Sequence, residues 1–186
     1  GSSTISDRAF VQESCPVGKF SSTPSSTECT LCPKGEFSSE TGKSGCRPAT
    51  SGHFVASEGA IKQEPCPRGK HASGSGRSEC SPCTPGRYAD EIGLGECKAA
   101  ESGNYAEGAG ATGQALCPAG KYMPDEGAPA CSLANAGFFV KDLGAKKQTK
   151  CPAGEFSAES SSSTCTPCAA GTFSSKTGEA SCTSCD

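Results

Sequence analysis

Cys15, Cys32, Cys66, Cys83, Cys117, Cys151, Cys168 and Cys185 all fall in one phase of a 17-residue frame. Cys29, Cys46, Cys80, Cys97, Cys131, Cys165 and Cys182 each stand 14 residues after a position of that phase. The frame runs from 15 to 184 without an insertion or deletion, which makes ten tandem repeats. A period of this kind outranks any local secondary-structure signal. We number the positions of a repeat from 1, so the two cysteine sites are positions 1 and 15.

Two other columns keep the phase in every repeat. Position 4 is always glycine, from Gly18 to Gly171, and position 6 is always a ring: Phe20, Phe37, Phe54, His71, Tyr88, Tyr105, Tyr122, Phe139, Phe156 and Phe173. Position 11 is glycine except at Ser25 and Ser161. Three repeats lack both cysteines, carrying Ala49 and Gln63, Ala100 and Gln114, and Ala134 and Gln148 at positions 1 and 15. No complete repeat has lost only one. Bonds between repeats would strand a partner whenever a neighbour lost its pair, and Cys117 with Cys131 is flanked by cysteine-free repeats on both sides. The pairing expected is therefore within repeats: Cys15–Cys29, Cys32–Cys46, Cys66–Cys80, Cys83–Cys97, Cys117–Cys131, Cys151–Cys165 and Cys168–Cys182. Cys185 is left unpaired or free for an intermolecular bond. It opens a truncated further repeat over residues 185–186, while residues 1–14 form an N-terminal segment that ends a partial cysteine-free repeat, with Gln12 in place of its second cysteine.

The composition fits a stapled chain better than one with an ordinary core. There are 24 Gly, 13 Pro and 15 Cys, no Trp, and 33% hydrophobic residues. Such cysteine density belongs to oxidising compartments, where cross-links replace a large core. Each bond closes a loop of about 15 residues and contributes roughly 3 kcal/mol in the chain-entropy account. Pro at position 2 (Pro16, Pro33, Pro67, Pro118, Pro152) and Gly at position 4 set a turn. The ring then opens a strand of three or four residues, and the second glycine turns the chain back. The expected fold is small, disulfide-rich and mostly β, an elongated tandem array of ten hairpin-like repeats with essentially no helix. The rings are expected to form its spine, each packed on the next repeat's turn. In the cysteine-free repeats Val55, Ala106 and Val140, with Ala60, Ala111 and Ala145, read as apolar packing in place of the staple.

Cys29-Thr-Leu-Cys32, Cys80-Ser-Pro-Cys83, Cys165-Thr-Pro-Cys168 and Cys182-Thr-Ser-Cys185 match the spacing of zinc ligands or a redox dithiol. As seams between consecutive stapled repeats they are explained without either. His71 reads as a structural ring and His53 as a variable neighbour of Phe54, with no partner constellation for base or metal chemistry. No catalytic or metal-binding residue, cofactor or small-molecule substrate is expected, so the chain reads as a non-enzyme. A net charge of −3 with interspersed signs gives no face for nucleic acid, and Lys146, Lys147 and Lys150 read as a solvated loop. No apolar run is long enough for membrane insertion.

The runs Cys15-Pro16-Val17-Gly18-Lys19-Phe20 and Cys151-Pro152-Ala153-Gly154-Glu155-Phe156, with Cys-x-x-Cys seams, resemble the cysteine-rich repeats of ephrin-receptor type and the two-cysteine modules of TNF-receptor ectodomains. The resemblance implies small β-rich modules of a secreted or cell-surface protein, and in the TNF-receptor module the two cysteines bond to each other. The function expected is that of a non-catalytic extracellular structural repeat protein, a stalk, spacer or fibre or filament subunit, with other copies of itself or other extracellular proteins as partners. The alternative is a ligand-binding or adhesive ectodomain fragment. Its candidate partner patch is Tyr122, Met123, Phe138, Phe139 and Val140, where Phe138 is the one aromatic within the array outside the ring column.

Overall fold

The computed structural model describes residues 14–23 and 28–185. The expectations resting on residues 1–13, Ser25 and Asp186 lie outside them. The chain divides into two compact units, Gly1–Cys66 with Ala72–Cys80, and Pro67–His71 with Ser81–Asp186. Every repeat forms a two-stranded antiparallel hairpin, which gives ten hairpins, and no helix occurs among the described residues.

The first unit contains the hairpins β1/β2 (Lys19–Phe20, Thr30–Leu31), β3/β4 (Glu36–Phe37, Arg47–Pro48) and β5/β6 (His53–Phe54, Glu64–Pro65). The second contains β7/β8 (Lys70–His71, Ser81–Pro82) and six more, from β9/β10 (Arg87–Tyr88, Lys98–Ala99) to β19/β20 (Thr172–Phe173, Thr183–Ser184). The register never changes. Position 5 faces position 17 and position 6 faces position 16, as in Lys19↔Leu31 with Phe20↔Thr30, or Lys121↔Leu133 with Tyr122↔Ser132.

The strands are shorter than expected, two residues each, and the ring closes the first strand where it was expected to open it. Hydrogen bonding supplies the reason. After the ring the backbone leaves its own hairpin and serves the next repeat: the position 7 N–H donates to the next repeat's position 12 carbonyl, as from Ser21 to Lys43 and from Ala106 to Ala128 at 3.1 Å. Two further bonds tie the same neighbours. The Gly18 N–H donates to the Ser38 carbonyl and the Gly42 N–H to the Cys15 carbonyl, both at 2.8 Å. The second unit repeats them in Gly120 to Val140 (2.7 Å) and Gly144 to Cys117 (2.8 Å). Each is worth about 0.5–1.5 kcal/mol net, so a repeat contributes to its neighbour's stability mostly through backbone.

The core is not the ring column. Most rings are half-buried, Phe173 is exposed, and Tyr88 is the buried one. Positions 1 and 7 are buried in most repeats instead: Cys32, Ala49, Cys83, Ala100 and Cys117 at position 1, and Val55, Ala89, Ala106 and Val140 at position 7. Some repeats carry serine at position 7, and Ser38, Ser157 and Ser174 are buried there too. Each hydroxyl donates to a carbonyl two residues on, Ser38 to Glu40, Ser157 to Glu159 and Ser174 to Lys176, at 3.0–3.1 Å. That local bond removes the cost of burying the hydroxyl.

Glycine at position 4 answers two demands. Gly103 has φ +85°, a region that side chains enter at a cost of about 1–2 kcal/mol. A Cβ on it would also lie inside the contact distance of the Gly144 carbonyl, two repeats along. Gly171 shares the conformation, with φ +82°, but a Cβ there would meet nothing within 4 Å. The two sites separate conformational strain from steric exclusion. Gly103→Ala should cost at least about 3 kcal/mol, strain plus overpacking. Gly171→Ala should cost only about 1–2 kcal/mol. Denaturant midpoints of the oxidised variants measure the difference. Ser161, at position 11, is the one non-glycine residue with positive φ (66°) among the described residues, and Ser161→Gly should gain about 0.5–1 kcal/mol in the same assay.

Candidate functional site

The feature with chemistry in it is the junction where positions 1 and 15 meet at the mouth of each hairpin. The structure forms seven disulfides there: Cys15–Cys29, Cys32–Cys46, Cys66–Cys80, Cys83–Cys97, Cys117–Cys131, Cys151–Cys165 and Cys168–Cys182. Their Cα atoms stand 5.6–5.8 Å apart, within the range a disulfide spans without backbone movement. Cys29/Cys32, Cys80/Cys83 and Cys165/Cys168 are therefore seams between two bonds and not dithiols, while in Cys182/Cys185 only Cys182 is bonded. Cys185 is free and exposed.

The three cysteine-free junctions are closed by a hydrogen bond. Gln63 Oε1 accepts from the Thr50 N–H, Gln114 Oε1 from the Glu101 N–H, and Gln148 Oε1 from the Asn135 N–H, each at 2.7 Å. Gln63 Nε2 also donates to Thr50 Oγ1 at 2.9 Å. The donor in each case is position 2, where five of the cysteine repeats have proline and so no N–H. The sequence points to apolar packing in place of the staple, helped by the stapled repeats on each side. Val55, Ala106 and Val140 are indeed buried, and Ala60, Ala111 and Ala145 half-buried. The glutamine latch stands beside that packing. Its signal was present in the sequence, since proline at position 2 never occurs in a glutamine repeat.

The ring of one repeat lies against the junction of the next. Tyr105 packs on the cluster of Cys117, Met123 and Ala128, together with Cys131. At His71 the same arrangement sets an imidazole against a disulfide, with Nδ1 3.2 Å from Cys97 Sγ. His71 thus has partners, which sequence reading did not give it because they come from the following repeat. His53, by contrast, stays within its own turn, its Nδ1 3.3 Å from Thr50 Oγ1 and from the Ser51 carbonyl.

Of the candidate partner patch, Met123 and Val140 are withdrawn into the core. Tyr122, Phe138 and Phe139 remain half-buried in the strands β13 (Lys121–Tyr122) and β15 (Phe138–Phe139). Lys146, Lys147 and Lys150 are exposed.

Charge plays a small part. Lys98 Nζ lies 2.9 Å from Asp90 Oδ1 and 3.4 Å from Glu91 Oε1, and Lys43 Nζ lies 2.7 Å from Glu40 Oε2. The hydrogen bond from Lys98 holds the Asp90 carboxyl below its usual range, and that from Lys43 does the same for Glu40. The Asp90 partner in turn raises the Lys98 ammonium. A depressed carboxylate adds stability above its unfolded pKa and loses it as pH falls through the folded one. These pairs are solvent-exposed, and exposed pairs contribute little.

Compared with known proteins, the chain matches no family model and no curated sequence.

Three outcomes follow from the junction. Gln114→Ala, which leaves the Glu101 N–H without its acceptor, should cost about 1–2 kcal/mol by chemical denaturation. The pair Ala100→Cys with Gln114→Cys should form an eighth disulfide in air, seen as the loss of two thiols by mass, and should raise the denaturant midpoint. Lowering pH from 7 to about 3 should leave circular dichroism nearly unchanged, since Glu40 and Asp90, the carboxylates that the fold holds below their usual range, sit in exposed pairs that contribute little.

Proposed function

We propose that the chain is a non-catalytic structural segment that works outside the cell as a stalk, spacer or filament subunit. The observation that carries this reading is uniformity. The same register and the same repeat-to-repeat hydrogen bonds recur from hairpin to hairpin, and no repeat carries an inserted loop of the kind that usually holds a ligand. Seven disulfides support an oxidising compartment. No helix among the described residues is long and apolar enough to cross a membrane. The resemblance to receptor-type cysteine modules supports the same setting. Partners of such a segment are further copies of itself or other extracellular proteins.

Cys185, free and exposed, supplies the test. A membrane-impermeant maleimide should label it on intact cells, and gold-tagged maleimide should mark regularly spaced points in electron micrographs of the native material. Label that appears only after permeabilisation, or on dispersed single molecules, would overturn the reading.

A second reading, an adhesive or ligand-binding ectodomain, is favoured by one observation. Leu116 and Leu133, at position 17 of consecutive repeats, are 56% and 46% exposed, close in sequence to the half-buried Tyr122 and Phe138. A saturable partner in a pull-down from extracellular extract, lost on Phe138→Ser, would select it over the first.

A further inference from the structure

The junction at Cys83 and Cys97 differs from the other six disulfides in what faces it. The ring that the preceding repeat lays against it is His71, the only imidazole in the ring column. One ligand atom each from His71, Cys83 and Cys97 lie within 4.8 Å of one another, with His71 Nδ1 already 3.2 Å from Cys97 Sγ. Both sulfurs are buried; Cys97 is the one second cysteine of a described repeat that is, at 8% exposure, and Cys83 is at 0%. We infer that, in its dithiol form, this junction is a binding site for a soft divalent cation such as Zn²⁺, held by His71 and the two thiolates, so that metal and disulfide compete for the same pair of sulfurs.

Geometry and chemistry both support this. A tetrahedral zinc with Zn–S of about 2.3 Å and Zn–N of about 2.0–2.1 Å has edges of about 3.8 Å between sulfurs and about 3.6 Å between sulfur and nitrogen. Once the bond is broken, rotation of the two cysteine side chains opens the sulfurs toward that separation, and His71 Nδ1, 3.2 Å from Cys97 Sγ, already stands near its edge. Two thiolates and an imidazole are a ligand set that selects zinc over hard cations such as calcium or magnesium. Three protein ligands leave a fourth position for water or an outside ligand. The fold does not need the covalent bond to hold the site together. Ala49 with Gln63, Ala100 with Gln114 and Ala134 with Gln148 keep the same hairpin register without one.

The dithiol form is reached from the disulfide by a dithiol reductant. Its first thiolate attacks Cys97 Sγ, the less buried sulfur, breaking the Sγ–Sγ bond and expelling the Cys83 thiolate. Its second thiolate attacks the reductant's own sulfur in the mixed disulfide and expels the Cys97 thiolate, and the reductant leaves as a disulfide. Two electrons have then passed to the protein, and cation binding keeps both sulfurs deprotonated, their protons going to solvent. The newly synthesised chain, before oxidation, starts from the same dithiol.

The experiment refolds the reduced 186-residue chain in a glutathione buffer with either Zn²⁺ or a chelator, then blocks free thiols and maps them by mass. With Zn²⁺ we expect Cys83 and Cys97 to be spared from oxidation, about one zinc bound per chain, and the other six disulfides formed; with chelator all seven form. His71→Phe restores the ring common elsewhere in the column, so it should fold, form all seven disulfides in either buffer, and bind zinc at least about tenfold more weakly. Should the phenylalanine variant scramble its bonds, His71→Tyr, with the ring that the next repeat carries at Tyr88, serves instead. Formation of Cys83–Cys97 in zinc as readily as in chelator would overturn the inference. So would zinc-dependent sparing that persists in a folded His71 variant.

Discussion

Each repeat is fastened to the next through its backbone, and the rest of the structure depends on that fastening. Position 4 donates forward to position 7, position 7 donates forward to position 12, and position 11 donates back to position 1. A ladder of main-chain bonds is indifferent to side chains, which is why position 1 can be cysteine or alanine, position 7 serine, alanine, valine or methionine, and the register stays fixed. What the ladder does not tolerate, wherever the repeat two along covers it, is bulk at position 4. There the backbone of one repeat comes against the carbonyl of position 11 two repeats along, as Gly18 meets Gly59 and Gly120 meets Ser161. Repeat arrays are usually described by nearest-neighbour terms. Here, within each compact unit, a repeat also constrains the one beyond its neighbour, so the loss of one turn is felt across three repeats.

The disulfides work on a different quantity. They close a loop within a repeat and act chiefly on the unfolded chain, while the ladder orders the folded one. The division of labour explains how three junctions do without a covalent bond. A glutamine that accepts one backbone N–H satisfies the group that would otherwise be left open, and the stapled neighbours supply the remaining order. Burial is modest throughout: small residues fill positions 1 and 7, and large apolar side chains such as Ile92 and Leu143 remain exposed.

The period, the glycine columns and the absence of helix were all legible in the sequence, because each is a local or repeated signal. What was not legible involves contacts that cross repeats. The position 4 glycines read correctly as turn residues, but their second constraint comes from a carbonyl two repeats away. Position 7 was hidden as a core column because Ser38, Ser157 and Ser174 occupy it in some repeats, and only the hydroxyl's bond to a nearby carbonyl makes serine acceptable there. The rings, conspicuous in sequence, looked like the spine but are mostly half-buried covers for the next junction. The partners of His71 lie in the following repeat, out of reach of any local pattern.

The glutamine latch has a consequence for how such an array changes over time. A cysteine repeat with proline at position 2 offers no N–H for a glutamine at position 15 to accept from, so the glutamine arrives useless unless the proline has already gone. Losing one cysteine first leaves the other as an unpaired thiol. Point changes from a proline-bearing cysteine repeat to a glutamine repeat therefore pass through intermediates with an open junction, whereas copying a whole repeat passes through none. A proline-bearing cysteine repeat and a glutamine repeat are thus self-consistent 17-residue units, each closed at its junction only as a whole.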